Sequence, residues 1–245
     1  MTTEPRTAVI QTGVRQEFVG WHVTVNGRDL TTPQRRAVVV PTRALAAAIA
    51  AEIADKPGVL AGKGMADPAL APCFRIASGA VDVIAASGDG RASVERDLVG
   101  YATTDLVCIR ADRPEELVAR ECAAWDPVCD WFAGRYGVRP AVAAGPLAVL
   151  QPGAVHAALA GAVAACDPFR LAALALATRA AGSVVIGLAL CEGAMDADTA
   201  FAASVVEETY QEEKWGTDRE AAKARAVKRL DFGQAVHFLE LLAEA

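Results

Sequence analysis

Between Glu207 and Gly216 the chain reads EETYQEEKWG, with four glutamates and a lysine set around a Tyr and a Trp. Carboxylates crowded in this way could bind a metal ion, act as an acid/base pair, form a solvated surface or dock another protein. At about 100° per residue, Phe201, Val205, Glu208, Glu212 and Trp215 fall on one continuous helical stripe. Two carboxylates thus stand where a core helix carries apolar residues. Glu207, Glu213 and Lys214 point elsewhere, the two glutamates toward solvent, and Val206 and Tyr210 lie nearly opposite the stripe.

Glu208 and Glu212 are neighbours at i,i+4, so a carboxylate-dependent metalloenzyme using these two residues is the alternative reading. Di-metal helical bundles take Glu-x-x-His partners from other helices, and the sequence offers none. A partly buried carboxylate without a partner is costly. An arginine is therefore expected to meet it, from within the protein or from an incoming polypeptide. Arg120, Arg170 and Arg179, all in helical segments, are the internal candidates.

Other chemistry is sparse. Ala61-Gly62-Lys63-Gly64-Met65 resembles a phosphate loop but lacks the leading Gly and the Ser/Thr after Lys. Ser87-Gly88-Asp89-Gly90 reads as a turn, and no nucleophile elbow is present. His22, His156 and His237 are far apart, and none stands at metal-ligand spacing from a Cys or another His. The six cysteines form no CxxC pair and read as free thiols in a reducing compartment. A Cys nucleophile stays open, because a partner His need not be near in sequence, and none of the six is singled out; the family resemblance given below implies a protein that is not an enzyme and needs no cofactor or metal.

At 245 residues and 53% apolar composition, the chain can bury a sizeable core. A net charge of -6 without a basic block argues against nucleic-acid binding. The run from Leu171 to Cys191 has the length of a membrane span. Arg179 at its centre would cost roughly 2.5–3.5 kcal/mol there, so two buried helices joined near Gly182 fit better than a membrane anchor. A soluble protein without a secretory signal is expected.

Positioning falls to two kinds of element. Phe18, Trp21, Val23 and Val25 lead to the hairpin signal Asn26-Gly27, and Leu30 and Ala37–Val40 continue a small antiparallel sheet. Thr42 caps a helix to about Ala54, and Lys56–Pro72 reads as loop. Helical patterns follow at 73–86 and 92–101, and Asp105–Arg110 is a short strand that could add to the first sheet. Asp126-Pro127 and Asp167-Pro168 read as helix starts, although the first could instead lie in a continuous helix. A short extended piece spans Ala141–Leu150. Asp196 caps a helix running to Trp215 with Gly216 after it, and Thr217-x-x-Glu220 is a capping box for the last helix. The fold class is α+β: a small mixed α/β N-terminal domain (1–110) with an antiparallel sheet, then a larger all-α, orthogonal-bundle-like C-terminal domain (111–245). The boundary lies somewhere within 100–150.

Taken in order, several motifs resemble one family. Glu207-Glu208-x-Tyr210-Gln211-x-x-Lys214-Trp215-Gly216 is similar to the signature of the ATP synthase assembly chaperones that act on the F₁ α subunit, mitochondrial assembly factor two and its α-proteobacterial relatives. Val39-Val40-Pro41-Thr42-x-Ala44-Leu45-Ala46, Tyr101-Ala102-x-Thr104-Asp105-Leu106-Val107-Cys108 and Leu117-Val118-Ala119-Arg120 match in the same order. So do Trp125-Asp126-Pro127-x-x-Asp130-Trp131 and Asp167-Pro168-Phe169-Arg170-Leu171. The chain departs from the pattern at Ala71–Ile76 and at Ile109. The resemblance implies an ATP-independent chaperone that binds the unassembled F₁ α subunit, prevents its aggregation and promotes F₁ assembly. It implies no membrane insertion, and a cytoplasmic location in a bacterium or the mitochondrial matrix in a eukaryote. It makes Glu208 the acidic position of functional weight, with Phe201, Tyr210, Gln211, Glu212 and Trp215 around it as partner-binding candidates.

Overall fold

A computed structural model of the chain describes residues 10–55, 71–145 and 149–244. The expected loop from Lys56 therefore lies outside the described residues up to 70, as do Ala61–Met65 and residues 146–148 of the extended piece. By its contacts the chain divides after Val83, with Glu240–Ala245 grouped with the first unit. That division comes earlier than the expected window, because the helices beyond Ile84 pack within the second unit.

In the first unit, β1 (Thr12–Glu17) pairs antiparallel with β2 (Gly20–Val25), and β2 also pairs with β3 (Arg28–Asp29) and β4 (Val39–Val40). Asn26 (φ 51°) and Gly27 (φ 77°) make the turn into β3; both tolerate positive φ, as hairpin turns of this type require. Phe18 is not a strand residue: it sits at the β1–β2 turn with Val19, and both are exposed. Thr42 Oγ1 accepts the Leu45 N–H at 3.2 Å and opens α1 (Arg43–Asp55). Leu45, Ile49 and Ile53 of α1 are buried together with Val23, Val38 and Val40 of the sheet. The next helix, α2 (Pro72–Gly79), has no capping side chain of its own. Glu52 of α1 supplies the cap instead, its two carboxylate oxygens accepting from Cys73 N (2.8 Å) and Phe74 N (3.0 Å). The anion meets the positive end of the helix dipole there.

The second unit is helical apart from one short parallel pairing. It runs through α3 (Gly88–Gly100), α4 (Glu115–Tyr136), α5 (Gly153–Ala164), α6 (Pro168–Ala181), α7 (Val184–Cys191), α8 (Ala197–Ser204), α9 (Val206–Trp215) and, as far as Leu239, α10 (Arg219–Ala243). Ser87 Oγ caps α3 by accepting from Gly90 N, so Ser87–Gly90 is a helix start. Asp167 caps α6 as expected. Gly182 (φ 70°) separates α6 from α7, and no helix among the described residues is long and apolar enough to cross a membrane. These two helices approach so closely that a Cβ on Gly187 would come within 2.6 Å of Thr178 Oγ1.

Three expectations are corrected. Asp105–Arg110 does not extend the first sheet. The Asp105 carboxylate accepts from Val107 N and draws Leu106–Cys108 into a 3₁₀ turn, so only β5 (Ile109–Arg110) stays extended, parallel to β6 (Ala143–Ala144). Asp126-Pro127 does not start a helix. It lies inside α4, where the Asp126 carboxylate is held by Arg110 (3.1 Å) rather than by a helix N-terminus. Thr217 does not cap α10; Asp218, the residue before its first turn, caps instead, accepting from Ala221 N at 2.8 Å.

Candidate functional site

Asp196 caps α8 through Thr199 N (2.7 Å), but the helix does not continue to Trp215. Trp125 Nε1 donates to the Ala203 carbonyl (2.7 Å), and Lys228 Nζ donates to the Ser204 carbonyl (3.1 Å). Two acceptors needed for the next helical turn are thus engaged by side chains. Ser204 Oγ bonds back to Phe201 O (2.8 Å), and Val205 leaves the helical region (φ -127°, ψ 22°). The stripe expected from Phe201 to Trp215 therefore breaks at Val205. Trp215 is 77% exposed, whereas Tyr210 is the buried residue of α9.

Three of the four glutamates pair with a cation. Glu207, expected in solvent, is half-buried, and burial raises its carboxyl above the ordinary glutamate range. Glu208 pairs with Lys228 (3.1 Å) and Glu212 with Arg225, both on α10. Glu213, also expected in solvent, pairs with Arg120 (2.7 Å). Arg120 further binds Glu116 (2.9 Å), which also takes Lys214 (2.7 Å). Arg120 and Lys214 both stand over the Tyr210 ring, 5.3 and 5.1 Å from its centroid. Lys214 holds the Glu116 carboxyl below the ordinary carboxylate range. Glu212 is lowered too, by the Thr217 hydroxyl and Arg225.

Of the three arginines proposed to meet Glu208 or Glu212, Arg120 reaches α9 but at Glu213. Arg170 and Arg179 are exposed on α6 and meet neither glutamate. The partners that were missed share one face of α10: Arg225, Lys228, Phe232 and Ala235 follow at helical spacing and turn that face from cationic to apolar. The cations set into an otherwise core-facing line were the available signal. With a cation on each, Glu208 and Glu212 do not form a free carboxylate pair. Among the described residues no group of three or more His, Cys, Asp or Glu is placed to hold a metal ion. His22, His156 and His237 lie on β2, α5 and α10, and all six cysteines are free.

Beside this network runs an apolar groove. One cavity of about 480 Å³ is lined by Pro127, Trp131, Met195, Thr199, Ala203 and Val206, among others. A second of about 650 Å³ adjoins it, with Phe201, Val205 and Thr209 in its lining and Arg120 and Arg229 at its rim. Ala123, Ala124, Ala202 and Val206 belong to both, so α4 and the α8–α9 junction form one continuous groove with a floor of small residues. Pro127 has no N–H to give the carbonyl of Ala123 four residues earlier. Arg229 packs over the Phe201 ring (5.1 Å) while pairing with Asp198 (2.6 Å).

The chain matches the family described as ATP12 chaperone protein over residues 6–133. It is similar to the crystal structure of Atp12 from Paracoccus denitrificans, with 35% identity and a TM-score of 0.84 over 94% of this chain and 95% of that one. An aspartate-to-lysine variant of the Paracoccus protein matches with the same values. A candidate chaperone from Agrobacterium tumefaciens matches at 33% identity and a TM-score of 0.85, over 97% of this chain and 86% of that one. Mixed α/β architecture, motif order and these likenesses agree: this chain belongs to the ATP12 chaperone family, whose role is in ATP synthase assembly.

Proposed function

We propose that this protein binds the unassembled F₁ α subunit of ATP synthase, without using ATP, and holds apolar surface of that subunit until assembly covers it. The observation that carries this reading is the groove between α4 and the α8–α9 junction, lined on α9 by Val206 and Thr209, in a member of an assembly-chaperone family. An apolar groove of this kind is suited to cover what an assembly partner later covers. Its alanine floor lets a client backbone come close.

In this reading Phe201, at the groove, and Gln211 and Trp215, exposed on α9, are contact residues. Glu208 keeps 40% of its side chain accessible beside Lys228 and is the acidic contact. Tyr210 and Glu212 act from behind, fixing α9 to α4 and α10. Exchange between groove and assembly partner calls for moderate affinity rather than a permanent interface. The proposed location is the bacterial cytoplasm, or the mitochondrial matrix in a eukaryote.

Affinity capture from cells that make both proteins, with the co-purifying chain identified, tests the choice of client. The α subunit is expected in the capture and depleted from it with Glu208→Lys. Recovery of a different F₁ chain in its place overturns the assignment.

A further inference from the structure

We propose that two copies of this protein pair through the outer edge of β1, antiparallel and centred on Gln16, so that the free protein forms a homodimer. β1 stands at one end of the strand order and pairs with β2 alone. Val23, opposite Val14, donates its N–H to the Val38 carbonyl and accepts the Leu30 N–H, both on the far side of β2. Val14 and Val23 are therefore a non-hydrogen-bonded pair, and the ladder from β1 to β2 runs through the odd-numbered residues of β1. Asn26 N, donating to Gln11 O at 2.7 Å, keeps the same phase. The N–H and C=O of Val14 and Gln16 thus point away from the sheet, where no backbone group among the described residues meets them. Such an edge is ordinarily defended by a proline, a bulge or an unpaired charge. β1 contains no proline and pairs with β2 over six successive residues without a bulge. Its Arg15 is engaged by Glu17 (2.9 Å) and Asp29 (3.0 Å).

What fits this edge is a second β1. From Val14 to Phe18 the chain reads VRQEF: apolar, cation, amide, anion, apolar. Turned antiparallel about Gln16, that run is its own complement. Gln16 faces Gln16 of the other copy, and the two exchange a pair of main-chain hydrogen bonds. Arg15 of each copy faces Glu17 of the other in a non-hydrogen-bonded pair, the kind whose side chains lie closer. Val14 of each copy meets Phe18 of the other, and Phe18 is fully exposed in the single chain. Arg15–Glu17 is also the exposed half of the strand, whereas Thr12–Val14 is half-buried. Arg15 and Glu17 keep 54% and 45% of their side chains accessible, which leaves each room for a second partner. Other registers satisfy the backbone but not the charges. Pairing Val14 with Gln16 sets Arg15 against Arg15, which is destabilising. Centring on Val14 sets Arg15 against Gly13 and leaves both ion pairs unmade.

The test is sedimentation equilibrium of the free, full-length protein over a range of concentrations. The wild type should move from its chain mass of 25.5 kDa toward twice that value as concentration rises. Glu17→Arg or Arg15→Glu alone sets like charges face to face at both crossings and should weaken the dimer roughly tenfold or more. Mixed in equal amounts, the two variants again oppose Glu to Arg at both crossings, and the mixture should regain the wild-type mass. Amide exchange gives a second reading on the wild type, in which the outward Gln16 N–H should slow as concentration rises. A wild type that stays at the chain mass leaves the edge to a strand of another protein and overturns the proposal. So does a Gln16 amide that exchanges at one rate at every concentration, or a mixture of the variants that gains no mass over either alone. The two wild-type readings decide the matter even if Arg15→Glu, which loses its Asp29 pair, does not fold. Neither readout involves the α subunit, so failure of the dimer and failure of client binding are separate results.

Discussion

Lys228 Nζ lies 3.1 Å from Glu208 Oε1 and 3.1 Å from the Ser204 carbonyl oxygen, so a single ammonium on α10 ties down both the end of α8 and the start of α9. Glu208 therefore has two faces, one held by Lys228 and one open to solvent. That arrangement lets a residue needed for binding also be partnered in the free protein, without the cost of an unpaired, partly buried carboxylate.

Reversing one charge of this pair places like charges side by side. Glu208→Lys and Lys228→Glu should each lower stability by only about 1 kcal/mol, since the pair is partly exposed and solvent-screened. The double exchange, Glu208→Lys with Lys228→Glu, should recover stability. It should not recover capture of the α subunit if Glu208 touches the client. Denaturant unfolding and capture measured on all four proteins separate the two roles.

The break at Val205 depends on Trp125, whose indole N–H holds the Ala203 carbonyl at 2.7 Å in a fully buried site. Trp125→Phe removes the donor and leaves a buried acceptor unpaired, at a cost of roughly 1–3 kcal/mol before any packing loss. A lower urea midpoint at an unchanged m value is expected. A variant as stable as the wild type would mean that the Ala203 carbonyl needs no partner.

Asp105 is buried and accepts from Val184 N (2.8 Å) and Val185 N (3.3 Å) at the start of α7. Burial raises its carboxyl to about 6, although those bonds and the Ser183 hydroxyl work the other way. A raised folded-state value means that its contribution is complete below the ordinary aspartate range and falls as pH rises toward 6. Asp105→Asn removes that titration. Relative to this variant, the wild type should lose roughly 3 kcal/mol between acid and neutral pH. A stability difference that stays constant with pH contradicts the shift.

Local chemistry was legible where one residue type decides the outcome. Asn26-Gly27, Thr42, Asp167 and Asp196 all took their expected turn or cap positions, because the deciding bond is made within four residues. Long-range bonds were not legible. Ala203 and Ser204 carry no sign that Trp125 and Lys228, far along the chain, will take their carbonyls, so α8 and α9 read as one helix. The helical wheel drawn through that join then gave Trp215 a core position and Glu207 a solvent one, the reverse of what is found. Arg225 and Lys228 were readable in principle, since they stand in line with Phe232 and Ala235, but their register against Glu212 and Glu208 depends on the turn at Gly216–Asp218.

The most direct test of the account is light scattering while α subunit is diluted from denaturant with equimolar protein. Ala202 is exposed and lines both halves of the groove, so Ala202→Trp fills it; Glu208, Lys228, Glu212 and Arg225 line neither half and keep their pairs. The account predicts that the wild type suppresses aggregation and that Ala202→Trp, folded and equally stable, loses most of that suppression. No suppression by the wild type, or full suppression by Ala202→Trp, would contradict it.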